Sequence, residues 1–569
     1  MRLRPLGALA LLWSTAGSVL ATPAGSAAPD SYRESLRLTP FADGKVLSEF
    51  HFRLDGPWQE EGVDVAENAV AHHHTLLPRL LTSLVRQHRV ASFHLTLSSG
   101  RWLSTWPLHL PASLPASGIE LTAWLELLDG EAEADEHKRW EAFTSTVSGL
   151  FCAGVAADGV ETSTSSPTWA VPFDGDGDAA EHRLYRLTMP RLAAACTESL
   201  TPFLALLPCA SHAGLSSLLN PHRLFDGEWT LISVKFVKEE LSGSARIELE
   251  VGSVQDPVRR DRLTGQLGRR EFSLSSLYER TLSTTCPVAA ASTIELVVPT
   301  HSLNPFSIEP DLGRSVFRID GREMAAWDVQ KALETAALDV RVTWPGENVF
   351  QHPTPSKLPH PPVTARRLLH GVGVERGRIG VEVVNNLEEE ADVIWGETWP
   401  WWLRGYLSTL EVTLNGTAAP DMVLDLDYTP SIARKRPTTL QAFLRIPPRS
   451  TMLMMLAYET ASLWYTEYPS DANRGFATPG ASFVLLARGD SSSPREEGFL
   501  AARAPRLRVN TPTALLSLPT PDFSMPYNVI ILTSTVVALF FGSVMNGLVR
   551  QWWCVDVGPT EGEVKAKGE

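Results

Sequence analysis

No charged residue occurs from Phe523 through Val549, and that gap constrains the chain more than any other feature. Within it, Val529–Val549 (VIILTSTVVALFFGSVMNGLV) supplies 21 apolar or weakly polar residues. At 1.5 Å per residue such a stretch crosses a hydrocarbon core of about 30 Å. A buried helix of a soluble protein of that length would carry a polar face. The stretch therefore predicts a transmembrane helix over 529–549. At the other end, residues 1–21 (MRLRPLGALALLWSTAGSVLA) join Arg2 and Arg4 to a mostly apolar run from Leu6 to Leu20. Val19 and Ala21 stand at the −3 and −1 positions of a cleavage site, so 1–21 reads as a cleavable secretory signal. The two ends together place residues from 22 to about 527 in an exoplasmic lumen and 550–569 in the cytosol, a single-pass type I arrangement. Arg550 agrees with the positive-inside rule, and Trp552 and Trp553 suit an interfacial anchor.

The tail ends in Lys565-Ala566-Lys567-Gly568-Glu569. Lysines three and five from a cytosolic end resemble the dilysine retrieval signal of endoplasmic reticulum membrane proteins; the plainer reading is a solvated basic tail. A GPI-attachment signal would stop at its hydrophobic segment, whereas here a charged tail of about 20 residues follows. The chain is thus not expected to carry a GPI anchor itself.

Composition narrows the lumenal part. The net charge is −15, from 65 acidic against 50 basic side chains, so there is no basic surplus to neutralise phosphates and nucleic acid is excluded as the main partner. Seventeen Trp and 41 Pro favour strands and turns. Residues 22–228 read as an α+β region. Leu47–Arg53 is strand-like, and Leu76–Val90 carries Leu77, Leu80, Leu81, Leu84 and Val85 on one helical stripe. Phe93, Leu95 and Leu97 alternate with polar residues, Ile119–Leu127 is a further strand, and Trp140–Phe151 is helix-like. From Trp229 to about 520, period-2 segments dominate: Ile247, Leu249 and Val251, then Thr293–Val298, Leu338–Trp344, Leu410–Leu414, Met422–Tyr428 and Leu440–Ile446. Short strands cut by Pro, Gly and Asn predict antiparallel β-sandwich architecture. The proline-rich Pro353–Pro362, Asp174–Asp178 and Ser491–Glu497 read as loops, and residues 521–528 as a juxtamembrane linker. The predicted class is mainly β with some helices, an α+β N-terminal part and one C-terminal transmembrane helix.

Catalytic signatures are missing: no GxSxG elbow, HExxH, phosphate loop or dinucleotide fingerprint occurs, and no cofactor is implied. His72-His73-His74 point in different directions on a helix start and have no second ligand cluster nearby, so they read as a polar helix end. Asp174-Gly175-Asp176-Gly177-Asp178 imitates a calcium loop, but Ala179 replaces the turn Gly and Tyr185 the terminal Glu. The runs Glu239-Glu240 and Glu388-Glu389-Glu390 read as solvated charge.

Four cysteines, Cys152, Cys196, Cys209 and Cys286, lie in the lumenal part, where disulfides persist; Cys554 is cytosolic. Either Cys196 pairs with Cys209 or Cys152 and the four close two internal bridges, or one of them bonds a partner chain. Asn415-Gly416-Thr417 is the single glycosylation sequon. Just before the span, LPTPDFSMPYN (518–528) contains three prolines that hold an extended approach and set Asp522, Ser524 and Asn528 at head-group depth. These residues either face water in a simple entry linker or bind a lipid head group carrying amines and hydroxyls.

Several blocks match a known family in order: SYRESLRLTP (31–40), PASGIELTAWL (115–125), SGLFCA (148–153), CTESLTPFLALLPC (196–209), RTLSTTCP (280–287), ETWPWWLRGY (397–406), WYTEYPSDANRGF (464–476) and LPTPDFSMPYNVI (518–530). They cover nearly the whole lumenal chain, and with them the sequence resembles the phosphatidylinositol glycan class T (PIG-T) family of GPI transamidase subunits. The loops at 155–185 and 353–363 match poorly. The resemblance implies a non-catalytic scaffold subunit in the endoplasmic reticulum membrane. Its complex attaches preassembled GPI to proprotein C-termini, using a Cys nucleophile on the caspase-like subunit PIG-K. It further implies PIG-U, the GPI anchor attachment protein and PIG-S as partners. Carried over by motif, Cys196 becomes the intermolecular disulfide to PIG-K, with Cys152, Cys209 and Cys286 structural. Asp522, Ser524, Asn528 and Asn473 become residues of the GPI head-group site. Two other classes compete: an independent lumenal glycan-acting enzyme using paired carboxylates, and a lectin-like quality-control receptor.

Overall fold

The computed structural model describes residues 30–58, 75–106, 116–154, 160–167, 181–190, 195–239, 241–259, 268–299, 304–311, 313–319, 322–334, 337–347, 349–353, 360–371, 373–469, 474–487, 505–522 and 524–555. The expected signal 1–21, the loops at 174–178 and 491–497, His72 to His74, Asn473, and Lys565 with Lys567 lie outside the described residues.

The chain divides into two compact units, Met1–Ser462 with Gly475–Ser517, and Leu463–Arg474 with Leu518–Glu569. In the first unit, period-2 hydrophobicity builds one sheet of eleven strands. In it Ser31–Pro40 pairs antiparallel with Val46–Pro57 and parallel with Ala291–Val297. The sheet continues from Val46–Pro57 through Ser244–Gln255, Trp229–Glu239, Val90–Gly100, Gly118–Glu126, His182–Met189 and Ser163–Ser165. It takes strands from both sides of position 228, where the onset of period-2 segments predicts a border between regions. Alternation sets its faces: Ile247, Leu249 and Val251 are buried on one, and the intervening Glu248 and Glu250 are largely but not wholly covered on the other.

Helices Arg79–His88, Glu133–Phe151 and Thr197–Ala205 share one core with the sheet. Phe143 meets Phe93 at 5.7 Å, and Trp140 stacks on Tyr185 at 5.1 Å. The first of these helices is shorter than the hydrophobic stripe predicted. Arg89 adopts φ 51° and ends it, and Val90 opens a strand. The buried face is Leu81, Leu84 and Val85, leaving Leu80 exposed. The segment expected as a strand over Leu338–Trp344 keeps only Arg341–Thr343 as strand, although Leu338, Val340, Val342 and Trp344 are all buried.

Ten strands between Val363 and Asn510 pair into two antiparallel sheets that pack as a sandwich, a shorter one than the region expected over 229–520. One contains Val363–His370, Arg376–Asn385, Thr451–Thr460, Leu403–Leu414 and Thr417–Ala418; the other Val423–Thr429, Thr438–Ile446, Ala391–Trp399, Ser482–Leu486 and Pro505–Asn510. Val381, Val393, Trp395, Leu440, Met454 and Phe483 pack between them. The sandwich is fastened to the polar face of the eleven-stranded sheet. Arg508 donates from Nη2 to both carboxylate oxygens of Glu120, and Arg186 Nε donates to the same group. Trp402 Nε1 donates to the carbonyl of Val160 at 3.0 Å.

In the second unit, helix Ser524–Val549 has 26 residues, about 39 Å at 1.5 Å each, and its apolar part is Tyr527–Val549. It begins before the end of the linker expected at 521–528, so Ser524 and Asn528 stand in the helix rather than on an extended approach. Pro526 permits this because a proline in the first turn lacks only an N–H that would have no partner there.

Candidate functional site

The block 196–209 holds two cysteines in different states. Cys196 caps helix Thr197–Ala205, its backbone extended (φ −145°, ψ 175°) and its carbonyl accepting from the amides of Ser199 and Leu200. Its thiol is unbonded, half-buried, and 3.4 Å from the hydroxyl of Ser199. Leu200 and Phe203 anchor the helix in the core, so the thiol is held at a fixed, reachable place on the surface. At the far end of the block, Cys209 is bonded to Cys286, which is wholly buried. Sequence reasoning left this pairing open, and an internal bridge from Cys196 to Cys209 is not formed. A bond closing 77 residues stabilises by about 4 kcal/mol through the entropy of the unfolded chain. Cys152 is also unbonded, exposed at the left-handed C-terminus of helix Glu133–Phe151 (φ 51°).

The second group of residues includes Asp522, Ser524 and Asn528, at or just before the start of the apolar helix. Within the second unit the Tyr468 hydroxyl, from the first of two blocks far apart in sequence, donates to the carbonyl of Pro519, from the second. A short 3-10 turn, Tyr465–Glu467, precedes Tyr468; its Glu467 carboxylate accepts the Trp464 amide at 2.6 Å. Asp522 is exposed two residues before the helix, and positions 524 and 528 follow one helical turn apart. Asn528 is exposed, and Asn473 lies outside the described residues.

Asn415 and Gly416 both have positive φ (48° and 86°) in a two-residue hairpin turn, the conformation that favours Asn-Gly. Asn415 is exposed, and its side-chain oxygen accepts from the Thr451 amide at 2.9 Å. Among the described residues no group of three or more His, Cys, Asp or Glu side chains is arranged to hold a metal ion. Of the carboxylate runs, Glu388 pairs with Arg449 at 2.6 Å on the surface, and Glu239 bonds Arg246 and Ser244.

Sequence reasoning missed two buried ionic centres. Glu397 of the ETWPWW block accepts from Trp395 Nε1, Trp399 Nε1 and Arg367 Nη2 at 2.8–3.1 Å. Burial alone would raise the Glu120 carboxyl, but Arg186 and Arg508 hold it at about 2. Glu120, on the strand predicted at 119–127, gives no local hint of partners 66 and 388 positions away, nor does Glu397 of Arg367, 30 residues before it.

A mostly antiparallel β body with, among the described residues, one apolar helix long enough to cross a bilayer defines the class: a β-rich protein with a membrane-spanning helix. A family model described as "Gpi16 subunit, GPI transamidase component" matches residues 15–267 and 263–568, and the chain belongs to that family. It is 30% identical over 550 residues to the GPI-anchor transamidase component PIGT of Homo sapiens, covering 92% of this chain and 90% of that protein. It is likewise 30% identical over 574 residues to the GPI transamidase component GPI16 of Saccharomyces cerevisiae, covering 92% and 89%. Among solved structures, the yeast delta-COP-I mu-homology domain aligns over 80% of each chain with a TM-score of 0.14 and 8% identity, a likeness that carries no argument.

Proposed function

We propose that this chain is a non-catalytic scaffold subunit of a GPI transamidase in the endoplasmic reticulum membrane, with its β body in the lumen. The observation that supports this most strongly is the Gpi16 family match, which runs from the N-terminal region through the apolar helix. In this reading Cys196 forms a disulfide with the caspase-like catalytic subunit. That fits a thiol left unbonded at the start of an anchored helix while its neighbour in the motif is bonded internally. The catalytic subunit's Cys attacks the proprotein carbonyl and expels the C-terminal signal peptide as its amine, and the ethanolamine amine of GPI then attacks the thioester and releases the thiol. This chain contributes position: a covalent tether raises the effective concentration of the catalytic domain near a membrane-held glycolipid without adding a reactive group.

In the same reading, Asp522, Ser524, Asn528 and Asn473 line the GPI head-group site. A carboxylate at the membrane surface suits a cationic amine, and amide and hydroxyl groups suit sugar hydroxyls. The meeting of blocks 464–476 and 518–530 beside the helix start supports a shared site. PIG-U, the GPI anchor attachment protein and PIG-S are the further partners. Purification of the full chain from mild detergent tests the assignment: it should bring down a caspase-like chain with membrane subunits. A chain that purifies alone and hydrolyses or binds glycans would contradict it.

A further inference from the structure

The segment preceding Arg474 leaves the β body after Ser462 and belongs to the compact unit of the apolar helix. On it Trp464 is 63% and Tyr465 45% exposed. Two large aromatic side chains presented side by side are unusual on a surface that only meets water. The Tyr468 hydroxyl fastens this strap to the carbonyl of Pro519. From Pro519 to the first helical residue, Ser524, the chain can extend by at most about 17 Å, so the strap is held close to the start of the apolar helix.

Trp and Tyr are enriched at both interfaces of membrane-spanning helices, where their rings settle between head groups and acyl chains. At its C-terminal end stand Trp552 and Trp553, both more than 80% exposed. At its N-terminal end Tyr527 begins the apolar stretch, and no Trp occurs in the sequence between Trp464 and Trp552. We propose that Trp464 and Tyr465 form a membrane-interface anchor, dipping into the lipid head-group layer beside the chain's own apolar helix. The partner is a neutral bilayer surface. Residues 463–469 contain no Lys or Arg to attract anionic lipid, and their single charge, Glu467, is turned back onto the Trp464 amide. The strap thereby gives the membrane unit a second point of contact with the bilayer.

The test uses the full chain reconstituted in phosphatidylcholine vesicles whose acyl chains are brominated near the head group, in a Trp552→Phe/Trp553→Phe background. Bromine quenches only indoles that enter the lipid. Trp464→Phe should abolish the remaining lipid-dependent quenching, and Tyr468→Phe, which removes the tie to Pro519 but keeps the indole, should reduce it. Unchanged quenching in Trp464→Phe would overturn the anchor, and unchanged quenching in Tyr468→Phe would overturn the tether through Pro519.

Discussion

Arg508 and Glu120 lie 388 residues apart and meet in two hydrogen bonds of 3.0 Å, joining the sandwich to the eleven-stranded sheet. Both side chains are nearly buried, and Arg186 completes the group. Removing one member of such a set leaves a buried charge uncompensated and costs roughly 3–5 kcal/mol. Glu120→Gln should therefore lower the unfolding temperature by several degrees. The unfolded carboxyl titrates near its usual value and the folded one at about 2, so the pair stabilises fully above about 4.5. That contribution is lost as pH falls from there to 2. The variant should lack this part of the acid sensitivity, read from thermal scans at pH 7, 4.5 and 3.

Glu250 behaves in the opposite sense. Burial first, then the neighbouring Glu49 and Glu248, raise its carboxyl to about 8. The folded state then binds a proton that the unfolded state has released, so stability declines as pH rises from about 4.5 towards 8. Glu250→Gln removes that penalty. It should stabilise the protein at pH 8 and have little effect at pH 4.5, measured by the same scans. An equal effect at both values would contradict the assignment.

The Cys209–Cys286 bond gives a cleaner energetic test. Cys209→Ser and Cys286→Ser should each destabilise by about 4 kcal/mol, and the double variant should be no worse than either single. Cys152→Ser, at an exposed position, should stay within about 0.5 kcal/mol of the parent. Denaturant unfolding under non-reducing conditions distinguishes these cases.

Much of this architecture was legible because its causes are local. Alternation at Ile247, Leu249 and Val251 marks a strand whatever it pairs with, and the uncharged run before Arg550 marks a membrane-length helix. The Asn415-Gly416 turn is likewise written in two adjacent residues. Features that depend on distant partners were hidden. The parallel pairing of Ser31–Pro40 with Ala291–Val297, the Glu120 and Glu397 centres, and the Tyr468–Pro519 contact each need a residue that no spacing rule selects. The early helix start at Ser524 was hidden differently, because prolines that discourage a helix in its interior are tolerated in its first turn.

The head-group proposal predicts a separation of effects. Asp522→Ala with Asn528→Ala should reduce GPI capture by the purified complex tenfold or more, as expected when charged and polar contacts to a ligand are lost. Subunit association should remain intact. Capture at the parent level would remove these residues from the site.

In the proposed assembly Cys196 is shared with another chain. The most direct measurement of this link is electrophoresis of the purified complex without reductant, comparing the parent, Cys196→Ser and Cys152→Ser. The parent and Cys152→Ser should each run as a covalent heterodimer with the caspase-like subunit. Cys196→Ser should separate into two bands while both chains still co-purify. A covalent heterodimer that persists in Cys196→Ser would contradict the account.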